Sequence, residues 1–134
     1  MPKKFQLTVF GKAGCEKCKV LNARLDALLE KPEWGTDFEK MYCDVETEDG
    51  LVPFAKAECI SPNRIPALLV SKLNDTTGKY QPLANPTPGK IDPVLKKSKL
   101  YQYLGMQTDY TDDGKGLITP KMIASLLEEA RAVG

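Results

Sequence analysis

Thr8-Val9-Phe10-Gly11-Lys12-Ala13-Gly14-Cys15-Glu16-Lys17-Cys18 changes character twice in a short span. Its front end is β-branched and aromatic. It continues the alternation begun at Phe5-Gln6-Leu7, which puts Phe5, Leu7 and Val9 on one face of a strand. Gly11-Lys12-Ala13-Gly14 breaks that strand as a short loop. From Cys18 onward apolar residues recur three and four apart, at Cys18, Leu21, Leu25 and Leu28 with Leu29 alongside, the period of a helix with one buried stripe. Lys31-Pro32 ends the helix, and Pro32 to Asp37 reads as a loop.

Two cysteines three apart therefore stand where a strand gives way to a helix. The spacing alone is weak evidence; the position carries the weight. Cys15 falls at the helix N-terminus, where unpaired backbone N–H groups and the helix dipole favour an anion. Such a placement lowers a thiol's pKa and enriches the thiolate, the reactive form. Lys12, Lys17 and Lys19 lie nearby in sequence and add positive charge. Cys18 lies in line with Leu21, Leu25 and Leu28 and is expected to face inward. One exposed, activated thiol beside one sheltered thiol is the asymmetry that dithiol–disulfide exchange needs.

Working outward, Phe38 to Val45 reads as a second strand and Asp49 to Cys59 as a short helix. Pro66-Ala67-Leu68-Leu69-Val70 is continuously apolar, the pattern of a central strand covered on both faces. Asn74-Asp75-Thr76-Thr77-Gly78 is a turn, and Lys79 to Leu83 the returning strand of a hairpin. Ala84 to Leu117 breaks the rhythm with Pro86, Pro88 and Pro93. Within it, Asp92-Pro93 looks like a helix cap leading into a helix over Val94 to Leu104, with Leu100, Tyr101 and Leu104 packing on the core. Tyr101, Tyr103 and Tyr110 also leave a partner-docking role open for this insert. Thr119 then caps a last helix with Pro120 at its first position and Ile123, Leu126, Leu127 and Ala130 as its buried stripe.

The chain has 134 residues, 42% of them hydrophobic, with four cysteines, no histidine and a formal net charge of +1. That length suits one domain, 1–134, with the insert 84–117 between the fourth strand and the C-terminal helix. The balanced charge gives no electrostatic case for nucleic acid, and Lys96-Lys97-Ser98-Lys99 reads as a solvated face. No leader or membrane-spanning run is visible, so a cytoplasmic, reducing location is expected, where a close cysteine pair is catalytic or metal-binding rather than a staple. The missing histidine removes Ser-His and Cys-His nucleophile pairs and Cys/His zinc fingers. Cys43 and Cys59 read either as small buried hydrophobes or as a second redox pair.

The stretch Thr8 to Cys18, together with Asn63-Arg64-Ile65-Pro66-Ala67-Leu68-Leu69-Val70, resembles the thioredoxin/glutaredoxin superfamily, in particular a glutaredoxin-like CxxC protein. The resemblance covers Lys4 to about Leu83 and resumes at Thr119. It implies a βαβαββα fold with a central mixed four-stranded sheet flanked by helices, and a cis Ile65–Pro66 bond opening the third strand and facing the CxxC. It also implies that the backbone of Ile65 pairs with the substrate chain. The chain departs from the family in its inter-cysteine pair Glu16-Lys17, in having no tryptophan before Cys15, and in carrying Val9 where thioredoxins bury an acid. It also has the insert where glutaredoxins place a Gly-Gly turn; Gly114-Lys115-Gly116 is a candidate substitute. The expected activity is thiol–disulfide exchange on protein or small-thiol substrates. Cys15 is the nucleophile, Cys18 the resolving thiol, Lys12 and Lys17 thiolate stabilisers, and Ile65 and Pro66 the groove. The chain is expected to act as a monomer with no tightly bound cofactor and no metal, taking electrons from a reductase or from glutathione. Two alternatives stand: a non-enzymatic redox-sensing or partner-binding module, and a metal or iron–sulfur module.

Overall fold

Residues 3–12, 14–45, 65–88, 90, 92–100, 103–110, 116 and 118–133 are described by a computed structural model. The helix expected over 49–59, Cys59, Tyr101 and the Gly114-Lys115 pair lie outside them. Strand β1 (Phe5–Gly11) is buried along nearly its whole length, with Phe5, Leu7 and Val9 on one face and Gln6, Thr8 and Phe10 on the other, and takes a central place. It pairs in parallel with β2 (Phe38–Asp44), from Phe5 opposite Phe38 to Gly11 opposite Asp44. On its other side it pairs antiparallel with β3 (Ala67–Asn74), from Phe5 opposite Lys72 to Phe10 opposite Ala67. The hairpin turns where expected. Asn74 accepts the N–H groups of Thr76 and Thr77 on its side chain, and β4 (Lys79–Pro82) returns along β3.

The outer edge of β3 is shared by two strands. β4 covers only Ser71 to Asn74, so the backbone groups of Ala67 to Leu69 need another partner. Strand β5 (Gly105–Gln107), from the insert, supplies it, with Ala67 opposite Gln107 and Leu69 opposite Gly105. Val70 is the point of handover: its carbonyl accepts Leu83 N–H at 3.0 Å and its N–H donates to Leu104 O at 3.0 Å. Among the described residues the sheet therefore has five strands, not the four expected, in the order β2-β1-β3-β4 with β5 also on β3. The helix expected over Val94 to Leu104 is corrected by the same fact. Asp92 does cap a turn, accepting Val94 and Leu95 N–H at 2.8 Å each. The turn continues only as a 3-10 piece over Lys96–Ser98, and the chain then extends to pair with itself and with β3. Gly105 permits that approach, because a Cβ there would lie 2.4 Å from the Leu68 carbonyl oxygen.

Helix α1 (Glu16–Leu29) buries Cys18, Leu21 and Leu25, and α3 (Pro120–Val133) buries Ile123, Leu126, Leu127 and Ala130. Leu21 and Leu25 of α1 and the α3 set meet Phe5, Leu7, Val9, Leu68 and Val70 in one core on one face of the sheet. Each fully buried aliphatic side chain contributes about 1.5–3 kcal/mol there. Leu95, Leu104 and Met106 join the same core, so the insert is built into it. Phe10, Cys43, Ile65, Ala67, Leu69 and Leu100 form a second cluster on the opposite face. Pro32 to Asp37, expected as a loop, instead contains one helical turn, α2 (Pro32–Gly35). It buries Trp34 beside Phe38, and the Arg131 guanidinium from α3 lies 4.2 Å from the Trp34 ring centroid. Parallel β1 and β2, antiparallel β3 and β4, the helix after β1 and the cis Ile65–Pro66 bond before β3 make this a thioredoxin-like fold.

The insert is fastened to α3 by charge. Lys99 Nζ lies 2.8 Å from Glu129 Oε1 and 3.4 Å from Asp92 Oδ2, with the lysine and Asp92 side chains nearly buried. Burial raises the Asp92 carboxyl, but the N–H groups of Leu95 and Val94 and the Lys99 ammonium outweigh it and hold the group below its ordinary 3.8. A depressed carboxylate stabilises the fold above its unfolded pKa, and that contribution is lost as pH falls through the folded value. Asp92→Asn is therefore expected to destabilise the protein in urea at pH 7, with a deficit that shrinks progressively as pH is lowered below 3.8. Gly105→Ala is expected to cost about 2–3 kcal/mol by overpacking against Leu68 and Leu100, read as a lower urea midpoint. A midpoint unchanged in Gly105→Ala contradicts the close approach of β5.

Candidate active site

The end of β1 and the start of α1 build the site. Cys15 is the N-cap of α1, with extended backbone angles, and its Sγ accepts the Cys18 N–H at 3.2 Å. A sulfur thus takes the place that Ser, Thr or Asp oxygen takes at other helix starts. Cys15 and Cys18 are joined as a disulfide with their Cα atoms 5.2 Å apart. The two sides of the bond differ in exposure: Cys15 is half-buried and Cys18 is 2% exposed. Cys18 packs down onto Gly11. A Cβ at Gly11 would fall 3.1 Å from Cys18 Sγ and 3.0 Å from the Tyr42 hydroxyl, so the bare backbone at the end of β1 makes room for the sheltered sulfur.

Each residue expected to serve the pair has a definite place. Lys12 is exposed, and its carbonyl accepts the Cys15 N–H at 3.4 Å. Lys17 sends its ammonium to the Gly116 carbonyl, 3.1 Å away, and over the Tyr110 ring, 5.7 Å from the centroid. Glu16 pairs with Lys19 at 3.5 Å, an exposed contact that contributes little. Ile65 and Pro66 are buried at the entry to β3. Pro66 shares with Lys17, Val20, Arg24, Gly116 and Ile118 the walls of a pocket of about 240 Å3. The pocket runs along the exposed flank of α1, one turn after another from the cysteine pair, and Arg24 donates to the Ile118 carbonyl at its far end.

Three residues enter this neighbourhood that sequence patterns did not assign to it. The Thr108 hydroxyl donates to the Pro66 carbonyl at 2.7 Å, and the Tyr110 hydroxyl donates to the Ile65 carbonyl at 2.5 Å. They are two residues apart in the segment after β5, and both hydroxyls reach the backbone at the entry to β3. Tyr42, on β2, brings its hydroxyl to Gly11, and burial, with Asp44 adding, raises its pKa. Cys43 is buried with Phe10 and Leu69, and desolvation pushes its thiol up from the ordinary value. It is thereby a poor thiolate, unlike a sulfur at a helix start. Among the described residues, no three His, Cys, Asp or Glu side chains gather as a metal site. None of the described helices is long and apolar enough to cross a membrane.

No protein-family model matches the chain, and no curated protein matches its sequence. Among solved structures it is similar to mitochondrial thioredoxin 3 of Saccharomyces cerevisiae in its oxidised form, at 18% identity and TM-score 0.43 over 59% of this chain. The match spans 63% of that thioredoxin, less than two thirds of its length. The chain is also similar to G4, a poxviral disulfide oxidoreductase essential for cytoplasmic disulfide bond formation, at 16% identity and TM-score 0.42, over 94% of this chain and 93% of that one.

Proposed function

We propose that this chain is a thiol–disulfide oxidoreductase of the glutaredoxin/thioredoxin type. The observation that carries the reading is the Cys15–Cys18 disulfide at the start of α1, with Cys15 Sγ accepting a helix N–H and Cys18 buried one turn deeper. In the reduced protein the same N–H groups and helix dipole favour a Cys15 thiolate. That thiolate attacks one sulfur of a substrate disulfide; a Cys15–substrate bond forms, and the other substrate sulfur leaves as a thiolate. Cys18 then gives up its proton and attacks Cys15 Sγ, which expels the second substrate thiolate and closes the internal disulfide. The substrate gains two electrons and the protein loses two. A reductase or glutathione returns them, and the oxidised protein run backwards can instead oxidise a dithiol.

The substrates in this reading are protein disulfides or small disulfides reaching the half-buried Cys15, with Ile65 and Pro66 proposed as one wall of the substrate groove. Lys12 and Lys17 raise the positive potential around the site. Val9, fully buried and apolar, stands where thioredoxins bury an acid, which supports the glutaredoxin-like side of the superfamily. No tightly bound cofactor is required, and the unit acts as a cytoplasmic monomer spanning 1–134.

Turnover of a protein disulfide and of a small disulfide, each with glutathione and with a thioredoxin reductase as donor, tests this reading. Cys15→Ser is expected to abolish activity with every donor, by at least a hundredfold. Cys18→Ser is expected to accumulate a mixed disulfide on Cys15, visible as an added substrate mass. Full activity in Cys15→Ser, or no turnover with any donor in the unsubstituted protein, refutes the enzymatic assignment.

A further inference from the structure

Ile65 and Pro66 lie just past the last rungs that tie β3 to its neighbours, where Ala67 faces Phe10 on one side and Gln107 on the other. Beyond such a rung the backbone is ordinarily open to an incoming extended chain, which binds by adding main-chain hydrogen bonds to the strand. At this end of β3 two carbonyls are already taken, by Thr108 on Pro66 and by Tyr110 on Ile65. The two bonds differ in kind. Thr108 is fully buried, whereas Tyr110 is 47% exposed. The Tyr110 ring is steadied from the other side by Lys17, the residue directly before Cys18, whose ammonium sits over it. Tyr110 thus spans from the entry of β3 to the first turn of the cysteine helix.

We infer that Tyr110 is a specificity-determining residue: its hydroxyl occupies the Ile65 carbonyl that an extended peptide disulfide would use, and so biases the site toward small disulfides. The inference rests on the proposed oxidoreductase activity. A small disulfide reaches Cys15 without pairing to the Ile65 backbone, so the occupied carbonyl is no obstacle to it. A peptide must exchange its own N–H for the Tyr110 hydroxyl. Because Tyr110 is at the surface, the displaced phenol finds water, and the penalty is that of one neutral hydrogen bond, about five- to tenfold in rate or affinity.

The test uses Cys18→Ser protein, in which Cys15 has no resolving partner, with and without Tyr110→Phe. One probe is an extended peptide whose single cysteine is disulfide-bonded to thionitrobenzoate; the other is the same adduct of 2-mercaptoethanol. In both, Cys15 attacks the non-aromatic sulfur, the Cys15–probe disulfide forms, and thionitrobenzoate leaves as a coloured thiolate. The Cys15→Ser, Cys18→Ser double variant subtracts any reaction at Cys43 and Cys59. Removing the Tyr110 hydroxyl is expected to raise the peptide-to-small-probe rate ratio five- to tenfold. A ratio that stays the same or falls overturns the inference. A Cys15 that reacts with both probes no faster than a thiol in an unfolded peptide refutes the oxidoreductase reading instead, and the ratio still decides the role of Tyr110.

Discussion

The first turn of α1 has backbone N–H groups with no helical acceptor, and the sulfur of Cys15 takes one of them. Much of the molecule can be read as support for that arrangement. β1 lies buried in the middle of the sheet, between β2 and β3, and its end at Gly11 leads the chain into the cysteine pair. Gly11 must lack a side chain so that Cys18 can settle against the backbone. Leu21 and Leu25 must be buried with Val9, Leu68 and Ile123 so that the helix axis, and with it the direction of the helix dipole, is fixed. The asymmetry of the two sulfurs is then a consequence of helical periodicity. Cys15 precedes the helix and stays at its rim; Cys18 is one turn in, on the stripe that faces the core.

The insert is the second organising element. It closes an edge, because without β5 the backbone of Ala67 to Leu69 would be open on one side. It also places Thr108 and Tyr110 against the carbonyls of Pro66 and Ile65. Lys99, bound to Asp92 and Glu129, ties its middle to α3, and Lys17, bound to the Gly116 carbonyl, ties its end to α1. Strand closure and the hydrogen bonds on the Ile65–Pro66 backbone are therefore coupled through one segment. A change in how that segment packs reaches the proposed substrate groove through two hydrogen bonds.

Residues whose environment is decided by local periodicity were legible in the sequence. The alternation of Phe5, Leu7 and Val9, the three-and-four spacing from Cys18 to Leu25, the apolar run Ala67 to Val70, and the Thr119 cap with the stripe Ile123 to Ala130 all became the elements they suggested. What was not legible depends on distant partners. The Asp92 cap is real, but the helix it promised stops after one turn because β3 offers Gly105 to Gln107 an unpaired edge, and tertiary hydrogen bonds outweigh a modest helical propensity. The α2 turn was missed although Pro32 at its first position and Glu33 beside it are helix-start signals; its stability comes from Trp34 packing under Arg131, 97 residues on by the difference of their numbers. At the site, the positions of Cys15 and Cys18 on the strand–helix junction could be read directly. The partner of Lys17 could not, because it lies 99 residues away, and neither could the hydroxyls of Thr108 and Tyr110, 42 and 45 residues from the carbonyls they hold.

The central claim is that the fold itself activates one sulfur, and a rate comparison tests it most directly. The fully reduced protein and an unstructured peptide of residues 8–18 are treated with iodoacetamide at pH 7, and alkylation at each cysteine is followed by mass spectrometry. The account predicts that Cys15 in the protein is modified at least about tenfold faster than Cys15 in the peptide, with Cys18 slower in the protein than in the peptide. A Cys15 that reacts at the peptide's rate or below it, or a Cys18 modified first, contradicts the account.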